Sequence, residues 1–195
     1  SYTSKSDFYI CAKKFLNNVF NLMGIKDFNL ILDQFLLPHN LYRIDNYFDE
    51  NVKVIVVDRD PRDVFLLNKY YWKVIGYPIP FAYDVKAFCK QYKKMRDCEQ
   101  KVENKNILRI HFEDIVYSYE KTTSRIFEFL EIDKKDHVYK RMKFVPEKSK
   151  KNTQLFLQND KFCYEANYIK NELVDYIYNF PKGDIGRITN EDIIL

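Results

Sequence analysis

The chain has 195 residues, which is long enough to bury a sizeable core, and its 46% apolar and 31% charged residues are ordinary for a globular protein. The net charge of +4 comes from 32 basic and 28 acidic residues, so it argues against a dedicated nucleic-acid-binding protein but would help to attract an anionic ligand. No apolar run is long enough to span a membrane, and residues 1–23 lack the core and cleavage site of a signal peptide, so we expect a cytoplasmic protein.

The first third of the chain predicts a helix, a strand and a second, shorter helix. Apolar residues recur at helical spacing over residues 5–23, and Gly24 follows them as a helix-ending residue, so we expect this helix to pack on a sheet. The apolar residues between Asn29 and Gln34 predict a short strand. A turn over residues 37–40 and a short helix from Leu41 to Phe48 then follow.

A β-branched run at residues 52–58 ends at Arg59 and is followed at once by a helix-start signal. Asp60 is a good N-cap residue, Pro61 occupies the first turn, where no N–H is needed, and Asp63 suits the positive end of a helix. The pattern predicts a strand that delivers Arg59 to the carboxyl edge of a parallel sheet, where an anion can bind. For Arg62 we expect a surface ion pair with Asp58 or a glutamate rather than a ligand contact.

A second buried strand is predicted over residues 106–112, and two acids, Glu113 and Asp114, follow it. A helix is predicted next, over residues 118–130. Two further helices are predicted, over residues 84–103 and 161–180. Strands that alternate with helices predict an α/β fold, a three-layer sandwich with a central, mainly parallel sheet buried on both faces and flanked by helices. The lysine-rich residues 148–153 are the nearest thing to a break in the chain, and their lysines are expected to be solvated.

The four cysteines and three histidines show no metal-ligand spacing, so we predict reduced thiols and no metal site.

The segment Val57-Asp-Arg-Asp-Pro-Arg-Asp-Val64 resembles the 3′-phosphate-binding segment of sulfotransferases that use 3′-phosphoadenosine 5′-phosphosulfate (PAPS). The resemblance assigns Arg59 to the 3′-phosphate and Phe112, in His-Phe-Glu-Asp, to the side of the adenine. Lys182-Gly-Asp-Ile-Gly-Arg187 resembles the loop that covers the 3′-phosphate, which implies Lys182, Gly183, Gly186 and Arg187 as further ligands. Arg59 and this loop are expected to converge on one anion site. The implied fold is sulfotransferase- and nucleotide-kinase-like.

The chain departs from this family at its N-terminus. The family holds the 5′-phosphosulfate with a loop rich in Ser, Thr and Gly that carries a lysine, whereas residues 1–28 contain one glycine, Gly24. We therefore expect residues 1–195 to be one sulfotransferase-like domain whose first strand and phosphate loop lie upstream, and the chain alone to be a poor catalyst. A degenerate relative that never had the loop is the alternative.

The resemblance implies transfer of a sulfuryl group from PAPS to a hydroxyl or amine of a glycan or small-molecule acceptor, with adenosine 3′,5′-bisphosphate as the product. The family's catalytic base maps approximately onto Asp33 and His39. Leu67 stands where the family has a phosphate-binding serine, and the neighbouring Asn68 is a candidate substitute donor.

Two other functions stay open at this point. One is a non-catalytic binding or interaction domain on the same scaffold. The other is a nucleotide kinase-like protein, which is weaker because no Gly-x-x-x-x-Gly-Lys-Ser/Thr motif occurs. The acceptor and the oligomeric state are not predicted.

Overall fold

The computed structural model describes residues 4–24, 30–48, 52–76, 80–99 and 104–182. Its contacts divide the chain into two compact units. The first unit comprises Ser1–Val54 and Met95–Asn106, and the second comprises Ile55–Lys94 and Ile107–Leu195. No helix in these described ranges is both long enough and apolar enough to cross a membrane.

The first unit begins with helix α1, Lys5–Leu22, as the sequence predicts. Ser4 caps it, because its hydroxyl accepts the Asp7 N–H at 3.0 Å while the Asp7 carboxylate accepts the Ser4 N–H at 3.2 Å. Helix α2, Ile44–Tyr47, follows a 3₁₀-helix at Pro38–Arg43. The rings of Tyr9 and Tyr47 meet edge to face at 5.4 Å, yet no residue of α1 is buried.

The strand predicted between Asn29 and Gln34 is wrong for residues 30–34, and Asn29 lies outside the described residues. Ile31 is 92% exposed, so no neighbouring strand or helix covers its side chain. Gln34 has φ of 52°, a left-handed conformation that interrupts an extended backbone. Apolar composition alone is therefore insufficient to form a strand here.

Within the described residues, the sheet consists of two parallel strands, β1 (Val54–Asp58) and β2 (Ile107–His111), which confirms the predicted α/β class in a helix-rich fold with a small sheet. Val56 and Ile110 are 6% and 2% exposed and form its buried side. Val57 is 53% exposed, so the predicted burial of both faces is wrong. Successive residues of a strand point to opposite faces, and the face of β1 that carries Ile55 and Val57 is only partly covered.

The second unit is built mainly of helices around this sheet. In chain order they are α3 (Pro61–Leu66), α4 (Val85–Asp97), α5 (Phe112–Tyr117), α6 (Tyr119–Leu130), α7 (Pro146–Ser149) and α8 (Cys163–Glu172). A π-helical turn, Leu67–Trp72, extends α3. Shorter 3₁₀-helices lie at Lys134–Asp136, Lys150–Asn152, Leu155–Leu157, Asp160–Phe162 and Val174–Tyr176.

The core of this unit contains the face of α4 that the sequence predicts. The buried residues of that helix are Val85, Phe88, Cys89 and Tyr92. Phe88 packs against Phe65 of α3 with ring centroids 5.0 Å apart, and both side chains are fully buried. The predicted helix ends are less accurate, since α4 stops at Asp97 and α8 at Glu172, where Leu173 turns away with non-helical backbone angles.

Candidate anion-binding site

Arg59 lies in the connection between β1 and α3, where the sequence places it. The strand ends at Asp58, and Asp60 caps α3 by accepting the Arg62 N–H at 2.9 Å. The guanidinium stacks over the Phe112 ring at 4.7 Å, and its Nη2 donates to the Asn152 carbonyl. Its Nε atom is buried and has no hydrogen-bond partner in the described part of the chain. Burial lowers the pKa of this guanidinium.

Three fully buried carboxylates, those of Asp60, Asp63 and Glu113, lie around Arg59. Glu113, at the start of α5, accepts the Asp60 N–H at 3.0 Å and thereby ties the end of β2 to the start of α3. Its other oxygen, Oε2, is buried and has no partner among the described residues. Burial raises the pKa of Glu113, because the charged form has lost water without gaining a full set of donors.

Arg62 is buried, at 7% exposed, and forms a two-pronged contact with Asp60. Its Nε and Nη2 lie 2.9 and 2.7 Å from the two carboxylate oxygens. The Phe156 ring covers the other side of the guanidinium at 3.9 Å. The predicted surface pair with Asp58 is therefore wrong, and Asp58 pairs instead with Arg109 at 2.9 Å. Arg62 turns inward because Asp60 lies within reach of its side chain.

Asp63 binds a segment that is about ninety residues later in the sequence. Its two oxygens accept the N–H groups of Gln154 and Leu155, each at 2.8 Å. Burial raises the pKa of Asp63 to about 7, and the nearby carboxylate of Asp60 adds to this shift. Arg59 acts in the opposite direction. The carboxylate thus holds the later segment against α3.

The lysine-rich residues 148–153, the nearest thing to a break that the sequence offers, are anchored within the second unit. Thr153 is fully buried, and its hydroxyl bonds to the Tyr117 hydroxyl at 2.6 Å and to the Lys150 carbonyl at 2.8 Å. Gln154 has φ of 54° and donates its side-chain amide to Tyr117 at 3.0 Å. These contacts fix the 3₁₀ turn Lys150–Asn152 beside Arg59.

The C-terminal segment also reaches the start of α3. The Tyr178 N–H donates to Asp60 at 3.1 Å, and its hydroxyl donates to Asp114 at 2.9 Å. Phe180 lies 5.8 Å from the Arg62 guanidinium. The chain is thereby led past α3 toward Lys182, the last described residue. The other predicted ligands in this loop, Gly183, Gly186 and Arg187, lie outside the described residues, so their convergence with Arg59 stays a prediction.

The remaining predicted site residues have varied surroundings. Phe112 contacts Arg59 and also meets Phe144 at 6.3 Å. Asn68 is fully buried, and its amide bonds to the backbone of Phe81 at 3.0 and 3.3 Å. Asp33 is exposed and His39 half-buried, both within the first unit. Nucleotide binding by Phe112 and Asn68, and catalysis by Asp33 and His39, stay predictions.

Sequence reasoning missed Asp60, Asp63 and Glu113 as members of one cluster. The available signal was that acids follow both predicted strands, and the carboxyl ends of neighbouring parallel strands meet at one edge of a sheet. No sequence pattern predicts the contact of Arg59 with Asn152, because the two residues are 93 positions apart.

Arg59, just after β1, lies against Phe112, just after β2. The buried Glu113 links the ends of these two strands through its hydrogen bond to the Asp60 N–H. A comparison with protein families finds that residues 5–136 match the sulfotransferase family model. Neither a curated protein nor a solved structure gives a significant match. Since the match covers more than half of the chain, the chain belongs to the sulfotransferase family.

Proposed function

We propose that the sulfuryl donor is PAPS and that the acceptor is a hydroxyl or amine of a glycan or small molecule. Arg59 is the observation that carries this proposal. It is a half-buried cation whose Nε has no partner in the described part of the chain, and it lies against an aromatic ring. A buried arginine edge of this kind suits a phosphate oxygen, and the ring suits an adenine.

Sulfuryl transfer from PAPS requires few protein groups. Sulfuryl transfer in line from PAPS to an acceptor oxygen or nitrogen breaks the bond between sulfur and the bridging oxygen, and the electron pair stays on the leaving phosphate. Cations that steady this oxygen and a base that takes the acceptor proton supply the catalysis. Arg59 contributes by holding the 3′-phosphate, which orients the nucleotide.

Asp33 and His39 are the proposed candidates for the base. Asp33 is exposed, and His39 lies in the 3₁₀-helix Pro38–Arg43. Asp33→Asn and His39→Gln separate their roles, because loss of the base lowers kcat while nucleotide affinity stays constant.

A non-catalytic binding domain is the second candidate, and the buried carboxylates favour it. Asp60, Asp63 and Glu113 oppose the approach of a polyanion unless they are paired or protonated. A domain that retains the scaffold and binds a less charged ligand would tolerate this arrangement. Transfer of sulfate from PAPS to any of a panel of glycan and phenolic acceptors would exclude this candidate.

Calorimetric titration with adenosine 3′,5′-bisphosphate tests the donor site directly. A charge-assisted arginine contact contributes about 1.5–3 kcal/mol, so Arg59→Ala is expected to weaken binding by roughly tenfold to a hundredfold. Arg125→Ala, which removes an exposed arginine of α6, is the matched control and should bind like the unaltered protein. Adenosine 5′-monophosphate, which lacks the 3′-phosphate, should bind equally to all three proteins. Equal bisphosphate affinity in all three would refute the assignment of Arg59.

A further inference from the structure

The turn Lys150–Asn152 lies at the edge of Arg59 that a phosphate would use. A guanidinium binds an oxyanion side-on through Nε and Nη2, as Arg62 does with Asp60. On Arg59 the Nε is buried without a partner among the described residues, and the Nη2 donates to the Asn152 carbonyl. An anion that binds to the Nε and Nη2 side of Arg59 therefore contacts the turn Lys150–Asn152.

The turn is held in place by contacts outside itself. Asp63 accepts the N–H groups of Gln154 and Leu155, and buried Thr153 bonds to Tyr117 and back to the Lys150 carbonyl. A segment with these anchors on its C-terminal side keeps its position when a ligand arrives. Moving the turn would break these buried hydrogen bonds, so its contact with Arg59 is more than a chance contact of a surface loop.

The turn also brings positive charge to an edge that carboxylates surround. Lys150 and Lys151 are both half-buried, and the Lys150 ammonium lies 5.7 Å from the Tyr117 ring. The sequence has no acid between Glu147 and Asp160, so this stretch of the chain is net positive. Two ammonium groups would offset the negative charge of the buried carboxylates, which otherwise opposes a phosphate. The turn lies beyond residue 136, where the family match ends.

We propose that the turn Lys150–Asn152 forms part of the nucleotide site, with Lys150 and Lys151 as cation ligands to the phosphate on Arg59. This inference rests on the proposed function of Arg59. A phosphate oxygen accepts the N–H of the Arg59 Nε, while the Asn152 carbonyl keeps its bond to Nη2, and the lysines of the turn face the remaining phosphate oxygens. Asp63 is a positioning residue, since it acts on the ligand only through the turn.

Titration of adenosine 3′,5′-bisphosphate against lysine variants tests this proposal. Lys150→Gln and Lys151→Gln are each expected to weaken binding about threefold to tenfold, and the double variant by more than either. Lys148→Gln is the control, because Lys148 is exposed on α7 only two residues away. It should leave affinity unchanged. Thermal unfolding should be the same for the unaltered protein and all of these variants, since none of the substituted lysines belongs to the core.

The ligand lacking a 3′-phosphate separates a specific site from general attraction. Adenosine 5′-monophosphate should bind the Lys150 and Lys151 variants as tightly as it binds the unaltered protein. For the bisphosphate, added salt should reduce the difference in affinity between these variants and the unaltered protein. Equal weakening by Lys148→Gln would show diffuse electrostatics and overturn the inference. Normal bisphosphate affinity in the double variant, together with a loss in Arg59→Ala, would also overturn it while leaving the function of Arg59 intact. A loss in neither would instead refute the proposed function.

Discussion

Replacing Asp63 with asparagine should change how the stability of the protein depends on pH. Asp63 is fully buried and its pKa is raised to about 7, against 3.8 for the unperturbed group. Between these two pH values the folded chain binds a proton at Asp63 that the unfolded chain has released. Since stability falls with rising pH wherever the folded state binds more protons, Asp63 destabilises the fold progressively from about pH 4 to about pH 7.

The size of the effect follows from the pKa difference. A rise from 3.8 to about 7 is roughly three pKa units, and each unit corresponds to about 1.36 kcal/mol, so the total is on the order of 4 kcal/mol. The amide of the Asp63→Asn variant does not titrate. The asparagine side chain has one acceptor oxygen, so one of the two N–H groups loses its partner. This loss lowers the free energy of unfolding of the variant by about 1–3 kcal/mol at every pH. The free energy of unfolding of the unaltered protein, minus that of the variant, should therefore fall by on the order of 4 kcal/mol from about pH 3.5 to about pH 8.

Urea unfolding at a series of pH values measures this difference. Trp72 is the single tryptophan and belongs to the same unit as Asp63, so its fluorescence reports on the relevant part of the chain. The urea m-value should be the same in both proteins at each pH, which licenses the comparison of free energies. Acids that do not interact with Asp63 titrate alike in both proteins, so their contributions cancel in the difference. Asp160→Asn, which alters an exposed carboxylate, is the control.

A difference that stays level, or that rises with pH, would contradict the raised pKa of Asp63. A level difference would mean that the two N–H groups of Gln154 and Leu155 stabilise the carboxylate enough to cancel its burial. A rising difference would mean that Asp63 is a net stabilising anion, with a pKa below its ordinary value.

Two further predictions concern the core and the thiols. Phe65→Ala should lower the free energy of unfolding by about 3–5 kcal/mol in urea titrations, because it leaves a cavity at a fully buried site against Phe88. Tyr164→Ala is the control: Tyr164 is 68% exposed, so this change should alter the free energy of unfolding by less than about 0.5 kcal/mol. Similar losses in the two variants would contradict the packing of Phe65 against Phe88. Thiol labelling at about pH 8 should modify Cys11, Cys98 and Cys163 quickly and Cys89 only on unfolding, because Cys89 is 3% exposed and burial raises its pKa to about 11. Peptide mass spectrometry identifies each labelled site, and rapid labelling of Cys89 in the folded protein would show that the face of α4 that carries Cys89 is not buried.

Elements whose causes are local could be predicted from the sequence. The run before Arg59 forms β1, Asp60 and Pro61 start α3, and the apolar face of α4 is buried as its spacing predicts. These features depend on side-chain periodicity and on capping groups a few residues away, which are visible in a linear sequence. The same local signals placed Arg59 at the strand end and supported the family that the comparison then showed.

The groups that contact Arg59 from distant parts of the sequence could be identified only from the packed fold. The segment of residues 30–34, which begins with three apolar residues, does not form a strand, because a strand needs a paired neighbour that composition does not provide. Arg62 found a buried carboxylate, and a lysine-rich segment that looked like a solvated break became an anchored turn against Arg59. The contacts of Asp63 with Gln154 and Leu155 join residues about ninety positions apart, and such contacts arise only when the packed fold excludes water from polar groups that must then find partners in each other.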